Sequence, residues 1–144
     1  AQPQVDVLVK GGTLVDGTGA PRRVADVGVT GDRITFVGDA TSARVRARRT
    51  IDATGLVVAP GFIDPHTHTA EDLSSPERKG NANFLLQGVT TVVTNNDGGG
   101  RTDVGALLAE WEKAGIGTNA AAYVGHGSVR RQVMGMSAAA PTPA

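Results

Sequence analysis

Apolar positions recur at every second residue in the first third of the chain, and the period changes after Gly55. Val5, Val7 and Val9 form one inward row, Gly11-Gly12 follows, and Thr13 to Val15 gives a second apolar stretch. Alternation interrupted by turn residues is the pattern of a hairpin. The run ADVGVTGDRITFVGD repeats it, with Val27 and Val29 on one strand, Gly31-Asp32 at the turn and Ile34, Phe36 and Val37 returning. Residues 4 to about 56 are expected to form a small antiparallel β-sandwich module. The domains expected are therefore 1–56 and 57–144.

Beyond that boundary LVVAPGFID is almost continuously apolar, as in a strand buried on both faces. Pro76 to Gln87 has the grammar of a helix, with Ser74 or Ser75 as cap, Pro76 in the first turn and Gly88 at the left-handed end. Val89 to Val93 is β-branched throughout and predicts a second buried strand. A helix from Thr102 or Asp103 places Leu107, Leu108 and Trp111 on one face and stops at Gly115. Asn119 to Val124 predicts a third strand, and GSVRRQVMG opens a further helix. Alternating strands and helices imply an α/β fold with a parallel sheet. Its unusual segments, DPHTH, NND and GHG, each follow a strand. That edge of a parallel sheet is where loops vary without disturbing the core.

Charge and composition narrow the picture only slightly. Fourteen basic residues balance fourteen acidic ones, so no net field favours nucleic acid or an anionic membrane. RVRARR, Arg44 to Arg49, is locally basic, and its alternation fits the wet face of an edge strand. No apolar run reaches the roughly 18 residues of a membrane span. With no cysteine, disulfides and thiolate metal sites are excluded. The opening AQPQ suits a mature terminus left by signal-peptide removal, hence a periplasmic or secreted protein; a trimmed cytoplasmic chain would look the same.

His66 and His68 stand two residues apart, so on an extended segment both imidazoles reach one side and can meet one ion. The alternative is a pair of solvent-exposed loop histidines. Asp64, on the same face, is suited to orienting an imidazole, to adding a carboxylate ligand, or to neither. Asp97, before three glycines, is either a ligand or a turn residue. Arg130 and Arg131 have the guanidinium fork that binds carboxylates, and both also suit a wet helix face. NDGGG lacks the Lys-Ser/Thr ending of a phosphate loop.

GLVVAPGFIDPHTHT resembles the metal-binding first strand of the amidohydrolase superfamily, and KGGTLVDGTG resembles the small β module of its hydantoinase, dihydroorotase and deacylase branches. GVTTVVTNNDGGG and AAYVGHGSVRRQVMG resemble the N-acyl-D-amino-acid deacylase branch. The resemblance implies a β module followed by the first three βα units of a (β/α)₈ barrel, a fold that usually needs about 250 residues. It implies His66 and His68 as metal ligands, Asp97 where the best-known deacylases carry a cysteine ligand, and His126 as a substrate-binding residue. It also implies zinc, one or two ions; an oxygen ligand is harder than a thiolate, so the site is expected to hold zinc less selectively and to admit manganese or another divalent metal.

The implied reaction is metal-dependent removal of the N-acyl group from N-acyl-D-amino acids. A cyclic-amide hydrolase or dipeptidase on the same scaffold, or a noncatalytic truncated module, is the alternative. The catalytic aspartate of the family has no matching position here, so a C-terminal remainder is expected as a second chain, produced by processing or truncation. The other expected partner is a small N-acyl amino acid or peptide-like substrate, with a higher oligomer allowed.

Overall fold

The computed structural model describes residues 2–143 and falls into two compact units, residues 1–60 and 61–144. The expected boundary at residue 56 moves to residue 60, because the LVVAPGFID run is divided. Its first half, β7 (Val57–Val58), pairs with the first unit and its second half, β8 (Phe62–Asp64), with the second.

In the first unit β1 (Gln4–Lys10), β4 (Asp26–Thr30), β5 (Arg33–Gly38) and β6 (Arg46–Asp52) form one sheet in the order β5-β4-β1-β6. A smaller sheet joins β3 (Arg23–Val24), β2 (Thr13–Leu14) and β7 in that order. The hairpin at Gly31 is present, with Gly31 at φ 58° and Thr30 paired to Arg33. The expectation of a purely antiparallel module needs correction: β1 runs parallel to β6, and β2 parallel to β7. Strand β6 takes the edge that the arginine alternation suggests, and Arg46, Arg48 and Arg49 are exposed.

The inward row also shifts. Val5 and Leu8 are buried against Ala40, whereas Val7 and Val9 are half-buried, because β1 lies inside its sheet and has packing on both faces. Ile34 and Val37, on the other edge strand, are exposed. The buried Asp26 carboxylate joins two turns, accepting Gly11 N–H at 2.7 Å and Ala40 N–H at 2.9 Å.

The second unit is α/β. Its three strands, β8, β9 (Val89–Thr94) and β10 (Asn119–Ala122), are parallel and lie in sequence order. The helix expected over 76–87 is replaced by two short ones, α1 (Ala70–Leu73) and α2 (Ala82–Leu85). Gly80 and the left-handed Asn81, at φ 50°, lie just before α2, so no continuous helix forms. Ser74 consequently ends α1 rather than starting a helix, and its hydroxyl accepts the Trp111 indole N–H at 2.9 Å.

The helix α3 (Val104–Ala114) matches its pattern and ends at Gly115, whose φ is 71°. It lays Leu107 and Trp111 on Leu73 and Val92, with Leu108, Ala120 and Ala122 around them. A fourth helix, α4, spans His126–Met134. The strands are less covered than their composition suggests. Only Val92 and Thr94 of β9 are buried, and Phe62 and Ile63 are 63% and 66% exposed. No helix among the described residues is long and apolar enough to cross a membrane.

Candidate metal centre

The three unusual segments lie together at the C-terminal ends of β8, β9 and β10 because the strands are parallel and adjacent. After Asp64 the chain bends at Pro65 and His66 and then runs on beside β9. Thr67 donates its backbone N–H to the Val93 carbonyl at 2.8 Å, and its hydroxyl donates to the same oxygen at 2.9 Å. The hydroxyls of Thr67 and Thr69 are 3.1 Å apart, and both residues are buried. In the segment His66-Thr67-His68-Thr69 the threonines thus face inward and the histidines outward. The rings of His66 and His68 are 5.7 Å apart between centroids.

Asp97 meets them from the next strand end. Its Oδ1 lies 3.1 Å from His66 Nε2 and its Oδ2 lies 3.0 Å from His68 Nε2. One ligand atom from each of the three residues lies within 4.8 Å of the others. An ion with arms of about 2.0–2.1 Å in a tetrahedral site needs neighbouring donors about 3.4 Å apart, and separations of no more than 4.8 Å bring these three within reach of one ion. Two imidazoles and a carboxylate are donors that zinc and manganese both accept. The residues present therefore fit a divalent ion. They leave it open to further ligands, since all three side chains are more than half exposed.

A shallow groove of about 380 Å³ runs beside this cluster and is lined by His68, Glu71, Asn95, Asn96 and Asp97 among others. The loop that carries Asp97 is shaped by close backbone approach. A Cβ on Gly125 would overlap the carbonyl oxygens of Gly98 and Gly99, although its own φ of −70° suits any residue. The Ser128 N–H donates to the Gly98 carbonyl at 3.0 Å. Asn95, at φ 65°, donates its amide to the Tyr123 carbonyl at 3.1 Å.

The other sequence candidates separate. Asp64 accepts the backbone N–H of His66 at 3.1 Å and stays outside the three-residue cluster. His126 is the first residue of α4, exposed and also outside that cluster. Arg130 donates to the carbonyl oxygens of Ser137 and Ala139, at 2.8 and 2.9 Å, so its fork is occupied by backbone. Arg131 is exposed. The buried threonines do not emerge from a search for ligand types, and the groove residue Glu71 lies outside the sequence motifs. The period-two alternation of HTHT is the signal that identifies the threonines as anchors.

Residues 49–141 match the amidohydrolase family. The chain belongs to that family. A D-aminoacylase of Alcaligenes xylosoxydans xylosoxydans is 52% identical over 93 residues, covering 65% of this chain and 18% of that protein. A solved D-aminoacylase with a binuclear metal center superposes with a TM-score of 0.79 at 39% identity, over 90% of this chain and 31% of that one. The N-acyl-D-glutamate deacylase from Bordetella bronchiseptica, complexed with zinc and a phosphonate inhibitor, gives 0.84 at 37% identity, over 96% of this chain and 33% of that one. This amidohydrolase chain thus spans less than a fifth of that curated relative's length and about a third of those solved structures.

Proposed function

We propose that this chain forms the N-terminal part of a metal-dependent amide hydrolase that removes the N-acyl group from N-acyl-D-amino acids. The observation that carries the reading is the convergence of His66, His68 and Asp97 from two adjacent strand ends. Family membership and the similarity to D-aminoacylase and N-acyl-D-glutamate deacylase support the choice of branch.

In this reading the imidazoles of His66 and His68 and the carboxylate of Asp97 hold the ion. A divalent ion bound there supplies Lewis-acid polarisation of the amide carbonyl and lowers the pKa of water. The chain's own residues place those donors. Thr67 fixes the histidines on β9, and the glycines at 98, 99 and 125 hold the Asp97 loop against the start of α4. His126 lies on that same junction, and we assign it to contact with the substrate. The group that exchanges the proton, further ligands and the remaining units of a (β/α)₈ barrel come in this proposal from the C-terminal remainder of the enzyme.

The test combines native mass spectrometry, metal analysis and assay of the assembled protein. Expected are one or two divalent ions per assembly and release of carboxylate from N-acyl-D-amino acids, with the L-isomers turned over more slowly. Turnover of hydantoins or dipeptides in place of N-acyl-D-amino acids would overturn the choice of substrate. An assembled protein without bound metal would overturn the chemistry.

A further inference from the structure

Asn96 lies beside Asp97 and takes no place among the three candidate ligands. Its Nδ2 donates to the Pro65 carbonyl oxygen at 2.6 Å, across 31 residues of sequence. Pro65 is the residue between Asp64 and His66, so this one amide spans the two segments that carry the cluster. Its Oδ1 is buried and has no hydrogen-bond partner. Exchanging the ends of the amide would set two acceptors against each other at Pro65, so the donor direction is fixed by chemistry.

The Pro65 contact is the second of two ties between these segments. The other is the Thr67 pair of bonds to Val93, lower on the same strand. Together they hold the segment on each side of His66, through the Pro65 carbonyl before it and the Thr67 donors after it. The histidine rings themselves are exposed and have little packing to hold them.

We propose that Asn96 is a positioning residue whose amide sets the separation between the His66–His68 pair and Asp97, and so the affinity of the site for a divalent ion. This rests on the metal reading above. A group that orients ligands without touching the ion characteristically costs about 10–100-fold in metal affinity when removed. A matched control exists at the opposite end of β9, where the Asn119 side chain donates to the Thr90 carbonyl at 3.2 Å. Asn119→Ala deletes a bond of the same kind far from the cluster.

The experiment titrates cobalt, as a visible stand-in for zinc, into the parent 144-residue chain, Asn96→Ala and Asn119→Ala. In parallel it follows amide hydrogen exchange at Thr67 in metal-free protein. Expected are cobalt binding about 10–100-fold weaker in Asn96→Ala and unchanged in Asn119→Ala, with similar thermal midpoints for the two variants. Exchange at Thr67 is expected to quicken by about tenfold in Asn96→Ala alone. Parent-like cobalt binding together with parent-like Thr67 exchange in Asn96→Ala would overturn the proposal, as would equal losses in both variants. A parent chain that takes up no cobalt means that the ligands proposed for the remainder are needed for binding, and the metal reading is then judged on the assembled protein. Thr67 exchange then decides the positioning role by itself, quickened supporting it and unchanged refuting it.

Discussion

Asp97 is a carboxylate at a position where a thiolate would change which ion the site prefers. Asp97→Cys is expected to raise the preference for zinc over manganese by at least about tenfold, read from competition titrations, because a softer donor discriminates against the harder ion. At the proposed site His66→Ala and His68→Ala each remove one nitrogen donor and should weaken ion binding while leaving thermal stability nearly unchanged, both side chains being exposed. Asp26 makes the opposite case. Asp26→Ala strands the N–H groups of Gly11 and Ala40, and denaturant unfolding should show a loss of about 2–4 kcal/mol.

Asp16 gives the first unit a pH signature. Bonds from the Thr18 hydroxyl and N–H, then the Arg23 guanidinium, hold its carboxyl down at about 2 against an ordinary 3.8. A folded value below the unfolded one means that the stabilisation is complete above the ordinary value. It is lost as pH falls through about 2. Titration of the Asp16 carboxyl carbon by NMR should show that midpoint, and Asp16→Asn should remove the dependence.

At the scale of elements, Gly125 tests whether the junction between the Asp97 loop and α4 is built by space or by backbone freedom. Its φ is ordinary, so Gly125→Ala acts through the overlap with Gly98 and Gly99 alone. A cost of about 1–3 kcal/mol is expected, together with weakened metal binding as the loop shifts. Trp111→Ala should cost about 3–5 kcal/mol through the cavity left between Leu73, Val92 and Leu107.

The elements that sequence periodicity located well are those closed by local signals. The helix α3 has an apolar face and a glycine stop, and β9 has a β-branched run. Those it misplaced depend on partners distant in sequence. Nothing within LVVAPGFID shows that its two halves pair with different sheets. Parallel pairing of β1 with β6 is likewise set by a crossover rather than by a turn. The ligand types were legible from His-x-His, but their meeting with Asp97 needed the adjacency of β8 and β9.

For the whole molecule, the second unit leaves Phe62, Ile63, Leu86, Val133 and Met136 exposed. The chain alone is expected to bind a hydrophobic fluorescent dye, and joining it to the remainder proposed above should suppress that signal. Persistence of the dye signal in the assembled protein would mean that these residues serve something other than completion of the fold.

The alternation of buried threonines and exposed histidines after β8 separates two demands that often collide in one short segment. Packing falls to the buried Thr67 and Thr69, and the proposed ion binding to the exposed positions 66, 68 and 97. A library randomised at those three outward sites should therefore return mostly folded variants. New ion preferences could be explored there by substitution without first stabilising the scaffold, which makes this strand end a tolerant place for catalytic diversification.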